Sequence, residues 1–139
     1  MPHLIYSDVA KALAWLTEAF GFSEYYRYVG PDGAVGNAQM YLGNAWIMLG
    51  SRRHGDAGAI EGRPPQSLVL FVADVDARFE RARSAGAKVV SPPADCVFGE
   101  RQCEVEDPEG HRWFLSQHIR DVAPEDWGAS PARPNSPQA

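Results

Sequence analysis

Two stretches decide the fold, Leu4-Ile-Tyr-Ser-Asp-Val9 and Leu70-Phe-Val-Ala-Asp-Val75. Each is a short run of strand-type residues ending in Asp-Val, and the two aspartates stand 66 residues apart, at 8 and 74. A helical pattern follows each. Val9, Leu13, Leu16 and Phe20 form an apolar stripe after the first, and Val75, Phe79 and Ala82 repeat it after the second. Asp8 and Asp74 sit where an N-cap accepts unpaired backbone N–H groups. Gly21 and Gly86 sit where a left-handed C-cap is needed. The same register places Trp46-Ile-Met-Leu49 opposite Arg112-Trp-Phe-Leu115, and the turn Gly43-Asn44 opposite Glu109-Gly110. A register sustained over this length marks a duplicated supersecondary unit.

Working outward, each half reads strand, helix, strand, strand, strand. The first half predicts strands over 3–7, 24–29, 35–42 and 45–50 with a helix over 9–20. The second predicts strands over 67–72, 87–91, 101–106 and 111–117 with a helix over 75–85. Pro31-Asp32-Gly33, Gly43-Asn44 and Asp107-Pro108-Glu109-Gly110 supply turns. The chain therefore divides into one domain over 1–118, with modules at 3–50 and 67–118, and a Pro-punctuated tail over 119–139. At least 129–139 is expected to be disordered, with Trp127 docking locally. The linker 51–66 is rich in Gly and Pro, and a loop this long is a candidate lid at a cleft mouth.

Composition narrows the function. The chain has 139 residues, 45% hydrophobic and 22% charged, which suits one packed domain. Eighteen acidic against thirteen basic side chains give a net charge of −5. That balance argues against nucleic acid or an anionic membrane as partner and favours a neutral or cationic one. No apolar run is long enough to cross a bilayer, and no basic-then-apolar leader is read, so a cytoplasmic location is expected. Cys96 and Cys103 have neither redox nor zinc spacing.

The tandem unit resembles the vicinal oxygen chelate superfamily of glyoxalases, bleomycin-resistance proteins and extradiol dioxygenases. Tyr6 to Phe22 is similar to that family's first strand and helix, Gly36 to Leu49 to its third and fourth strands, and Glu104 to Phe114 to its last hairpin. The resemblance implies an α+β fold of paired βαβββ modules whose curled mixed sheets form a cleft. It also implies a homodimer and, in many members, a divalent cation held by His, Glu or Gln on the first and last strand of each half.

Here the corresponding positions are Met1, Met48, Ser67 and Phe114. Thioethers, one hydroxyl and a phenyl ring do not make a site for Mg, Mn or Zn. Asn37 stands where many members have histidine. Of the four histidines, His54 lies in the linker, His111 and His118 have opposite strand parity, and His3 alone is aimed inward. No metal and no cofactor are therefore expected.

The cleft is expected to be lined by His3, Asn37, Trp46, Met48, Ser67, Val69, Cys103 and Phe114, with Met48 and Phe114 facing one cavity. The same side chains also read as core filling. As a site, they point to a metal-independent small-molecule binder, of drug or metabolite sequestration type, with a cationic or aromatic ligand. The alternative is a glyoxalase-like lyase, isomerase or dioxygenase. Covalent catalysis at Cys103 or Ser67 would need His3 or Glu104 as base, and alternation turns Glu104 away from Cys103. Glu104, Glu106 and Asp107 read as solvated hairpin-end carboxylates, and Arg101 as an ion-pairing residue.

Overall fold

The structure, a computed structural model, describes residues 1–51 and 66–130. The proposed lid, with Arg52, Arg53 and His54, lies outside the described residues, as does most of the tail segment expected to be disordered. The first module runs β1 (His3–Tyr6), α1 (Val9–Phe20), β2 (Ser23–Val29), β3 (Val35–Leu42) and β4 (Ala45–Ser51). The second runs β5 (Ser67–Phe71), α2 (Val75–Ser84), β6 (Lys88–Asp95), β7 (Glu100–Glu106) and β8 (Arg112–His118). A 3-10 turn at Pro124–Trp127 follows.

Both N-caps and the C-cap of α1 form as the sequence predicts. By contrast, α2 ends at Ser84 with Ala85 as its C-cap, and the left-handed Gly86 follows one residue later. Asp8 accepts from the Lys11 N–H at 3.0 Å and Asp74 from the Ala77 N–H at 3.1 Å. Each such cap stabilises its helix by about 1 kcal/mol. Gly21 closes α1 at φ 85, a left-handed conformation that costs glycine little.

The two sheets have the same topology, β1-β4-β3-β2 and β5-β8-β7-β6. In each, the first strand pairs parallel with the last and the other pairings are antiparallel. This is the α+β fold of paired βαβββ units. β6 extends past the predicted end at 91 to Asp95, through Pro92 and Pro93. It is an edge strand with register breaks at Val89/Ser91 and Ser91/Ala94, the places where a sheet tolerates residues that cannot donate.

Alternation along the strands separates two faces. Leu4, Tyr6, Ala38, Met40, Ile47 and Leu49 of the first sheet are buried on the helix side, as are Leu70, Cys103, Val105, Trp113 and Leu115 of the second. These residues belong to one core cluster that both helices share. The modules meet through it: Phe20 and Phe22 pack on Trp113 at ring-centroid distances of 5.0 and 5.9 Å. The Trp15 indole N–H donates to the Ala85 carbonyl at 2.7 Å, and the Arg81 guanidinium donates to Glu18 O at 2.6 Å. With the helix sides turned together, the helix-free face of each sheet is left open. Among the described residues, no helix is long and apolar enough to cross a membrane.

Candidate functional site

Pairing register fixes what each open face displays. On the first sheet, His3, Met48 and Gln39 stand side by side, since His3 pairs with Met48 and Met48 with Gln39. The next row toward the end of β1 is Ile5, Gly50 and Asn37, and the row on the other side is Trp46 with Tyr41. A Cβ at Gly50 would run into the His3 imidazole, so the histidine ring lies across the space that glycine leaves free. Trp46 lies 4.9 Å from the Tyr41 ring and 5.3 Å, edge-on, from Tyr25. Tyr25 reaches it because β2 breaks register between Glu24 and Tyr26. The face is an aromatic and thioether surface with one imidazole and two amides. The Asn37 side-chain oxygen is buried with no partner among the described residues.

The second open face pairs Ser67 with Arg112, Val69 with Phe114 and Phe71 with Ser116. Glu104 and Glu106 flank the Arg112 guanidinium at 3.5 and 3.2 Å. At its far end His118 stands between Glu100 Oε1 at 3.3 Å and Asp121 Oδ1 at 2.7 Å. Those bonds, to Glu100 first and then Asp121, raise its pKa above the usual 6.5. Val69 and Phe71 are 53% and 70% exposed, a large apolar surface for an edge strand.

Of the eight residues singled out from the sequence, His3, Asn37, Trp46 and Met48 lie on the first open face and Ser67, Val69 and Phe114 on the second. Cys103 does not join them. It is buried on the helix side, where burial pushes its thiol up to about 11. The 66-residue register slips to 65 on β7, because Pro108-Glu109-Gly110 has one residue more than Gly43-Asn44. Gln102 is therefore the counterpart of Asn37. Met48 and Phe114 do not face one cavity within the chain, since the shared helix layer separates their faces.

Asp107 also departs from expectation. It is buried, not solvated, and accepts from Tyr6 OH, the Trp113 indole and two backbone N–H groups. Arg101 pairs with Asp76 and Asp95 at 3.0 and 2.9 Å, as expected of a structural cation. Tyr41, Tyr25, Gln39 and Phe71 were missed as lining residues. Strand parity with Trp46, Met48 and Val69 carries the signal for all but Tyr25, which depends on the break in β2.

A family profile described as the Glyoxalase/Bleomycin resistance protein/Dioxygenase superfamily matches residues 2–115. The chain belongs to that superfamily. Uncharacterized proteins of Mycobacterium bovis and Mycobacterium tuberculosis are 37% identical to it over 127 residues, 87% of this chain and 84% and 75% of theirs. The crystal structure of TioX from Micromonospora sp. ML1 is similar with a TM-score of 0.70 and 30% identity, over 88% of this chain and 98% of that one. A fosfomycin resistance protein, FosX, of Listeria monocytogenes, solved with Mn(II) and a dihydroxypropylphosphonic acid, shares the fold. Its TM-score is 0.64 at 20% identity, over 91% of this chain and 92% of that one.

Superfamily membership raises the question of a cation. Met1 precedes β1, and the register sets His3 beside Met48 and Val69 beside Phe114 in place of Met1 and Ser67. These strand positions therefore supply one imidazole and no further hard N/O donor. Among the described residues, no three His, Cys, Asp or Glu side chains converge as metal ligands. His3 is a single imidazole beside a thioether and a glutamine, and Glu104 is held by Arg112. Within one chain, the described residues bring together no donor set that fits a divalent metal.

Proposed function

We propose that this superfamily member is a metal-independent small-molecule-binding protein acting as a homodimer, with a role in sequestering a drug or metabolite. The observation that carries this reading is the pair of open faces. Trp46, Tyr41 and Met48 on one sheet and Val69, Phe71 and Phe114 on the other leave aromatic and apolar surface exposed or half-exposed. A two-fold partner would lay the first face of one copy against the second face of the other, making two identical clefts from faces that a single chain keeps apart. Each cleft would offer an aromatic floor, three amides (Asn37, Gln39, Gln102) and the carboxylates of Glu100 and Glu104, which suits a flat, neutral or cationic molecule. A cytoplasmic location is part of the same proposal.

Thermal unfolding of the purified chain tests it. A ligand present at 100 times its Kd adds about 2.7 kcal/mol of stability. Planar aromatic cations should raise the melting temperature, and Zn, Mn, Ni and Fe should not. The second reading is an enzyme of the lyase, isomerase or dioxygenase kind, favoured by the His3 imidazole on the open face. Stabilisation by one of the four metals, lost in His3→Ala, would replace the first reading with the second.

A further inference from the structure

The helix side of the sheets holds a cavity that the open faces do not use. It lies on the seam between the modules, where α1 faces the β7–β8 hairpin, and its volume is about 160 Å³. Ala12, Trp15 and Leu16 form its wall on α1, and Pro108 closes it from the hairpin.

Three features make this a site and not a packing gap. First, its walls are pinned. The Trp15 ring is held by its bond to the Ala85 carbonyl, and on the other side Tyr6 OH donates to Asp107 at 2.6 Å. Glu109 accepts from the Ser7 and Asp8 backbone N–H groups at 2.6 and 3.1 Å, which fixes the hairpin to the start of α1. The seam therefore resists collapsing into the void.

Second, apart from the Lys11 ammonium, the polar side chains of the lining are already engaged within the protein. The Tyr6 hydroxyl and the Trp15 N–H each donate within the protein, and both oxygens of Asp107 and of Glu109 accept. Water held against this lining therefore finds few protein partners and is readily displaced by an apolar ligand. The pocket is partly open to solvent and mostly apolar in its lining, and a preformed apolar pocket takes up an apolar ligand favourably.

Third, size and charge name the ligand. An apolar void of roughly 150 Å³ accommodates one benzene ring. The lining carries one ammonium, Lys11, against two carboxylates, Asp107 and Glu109, so an anionic substituent meets net repulsion. We propose that the seam cavity is a second binding site, for a neutral single-ring aromatic molecule. Its walls belong to different modules, so occupancy strengthens their docking.

The test is a titration of the full chain with phenol, followed by amide and indole chemical shifts and by ring-proton contacts to methyl groups. The expected result is saturable shifts at Ala12, Leu16 and the Trp15 indole, with contacts to the Ala12 and Leu16 methyls. Ala12→Leu, which fills the void, should abolish these shifts while circular dichroism is unchanged. Benzoate, the same ring with a carboxylate, should bind more weakly than phenol. Shifts that never saturate, contacts confined to Trp46 and Met48, or benzoate binding as tightly as phenol would each overturn the proposal. The methyl contacts in the unaltered chain decide the matter should Ala12→Leu fail to fold.

Discussion

The Tyr6 hydroxyl donates to Asp107 Oδ2 at 2.6 Å across 101 residues of chain, from the last residue of β1 to the hairpin after β7. The same oxygen accepts from the Trp113 indole at 3.2 Å, and the other takes the backbone N–H groups of Glu109 and His111. His111 completes the tie, tilted over the Tyr6 ring at 4.6 Å with Nε2 2.8 Å from the Ile5 carbonyl. A duplicated fold thus joins its halves through a buried carboxylate that the sequence pattern alone assigns to solvent.

Removing either end of this tie has unequal consequences. Burial, and then Asp107, raise the Tyr6 ionisation far above its usual range, so the phenol stays a donor. Tyr6→Phe leaves Asp107 three donors and is expected to cost about 1–2 kcal/mol. Asp107→Ala strands a phenol, an indole and two amides, and about 3–5 kcal/mol is expected. Urea unfolding measures both. A double variant no less stable than Asp107→Ala alone marks coupling, and strict additivity would deny it.

The His118 clasp predicts a pH dependence. Bonded to Glu100 and Asp121, the folded chain holds the His118 proton more tightly than the unfolded chain does. Its contribution is complete below the ordinary value near 6.5 and is lost as pH rises through the raised one. Melting temperature should therefore fall with rising pH across that window in the unaltered protein, relative to His118→Gln. A chemical-shift titration of the imidazole should show the elevated pKa returning toward 6.5 in Glu100→Gln. An identical midpoint in both proteins would exclude the clasp.

Much of this was legible in the sequence, and the failures have definite causes. Caps, turns and strand parity are local, so Asp8, Asp74, Gly21 and the alternation of Trp46, Ile47 and Met48 could be read directly. Cys103 went to the wrong face because one extra residue in the hairpin slides β7 by one position, and a one-residue slip inverts every side chain. The separation of Met48 from Phe114 had no local signal. It follows from which surface of α1 meets which surface of β8, a choice made by Phe20 and Phe22 packing on Trp113. Asp107 looked solvated because its partners, Tyr6 and Trp113, are not neighbours in the chain.

That placement of Cys103 can be checked chemically. Its thiol is fully buried and raised to about 11, so almost no thiolate exists near neutral pH. Cys96 is partly exposed at the start of the turn before β7. A thiol reagent at pH 7 should label one cysteine per native chain promptly, identified by mass as Cys96, and both after denaturation. Rapid labelling of Cys103 in the native protein would put it back on an accessible face.

The sharpest consequence concerns Phe71. It is 70% exposed on β5, beside Val69 at 53%, and on a lone chain that apolar edge would face water. Burying it against a partner is worth about 25 cal/mol per Å² of apolar surface removed. A carboxylate at the same place must be desolvated without a counterion. Phe71→Glu is therefore expected to weaken self-association by about a hundredfold, near 2.7 kcal/mol, with helix and strand content unchanged. Sedimentation should show two chains for the unaltered protein and one for the variant at the same concentration. A monomeric unaltered chain, or a variant that stays dimeric, would mean that the two open faces do not close on each other, and the composite cleft would lose its basis.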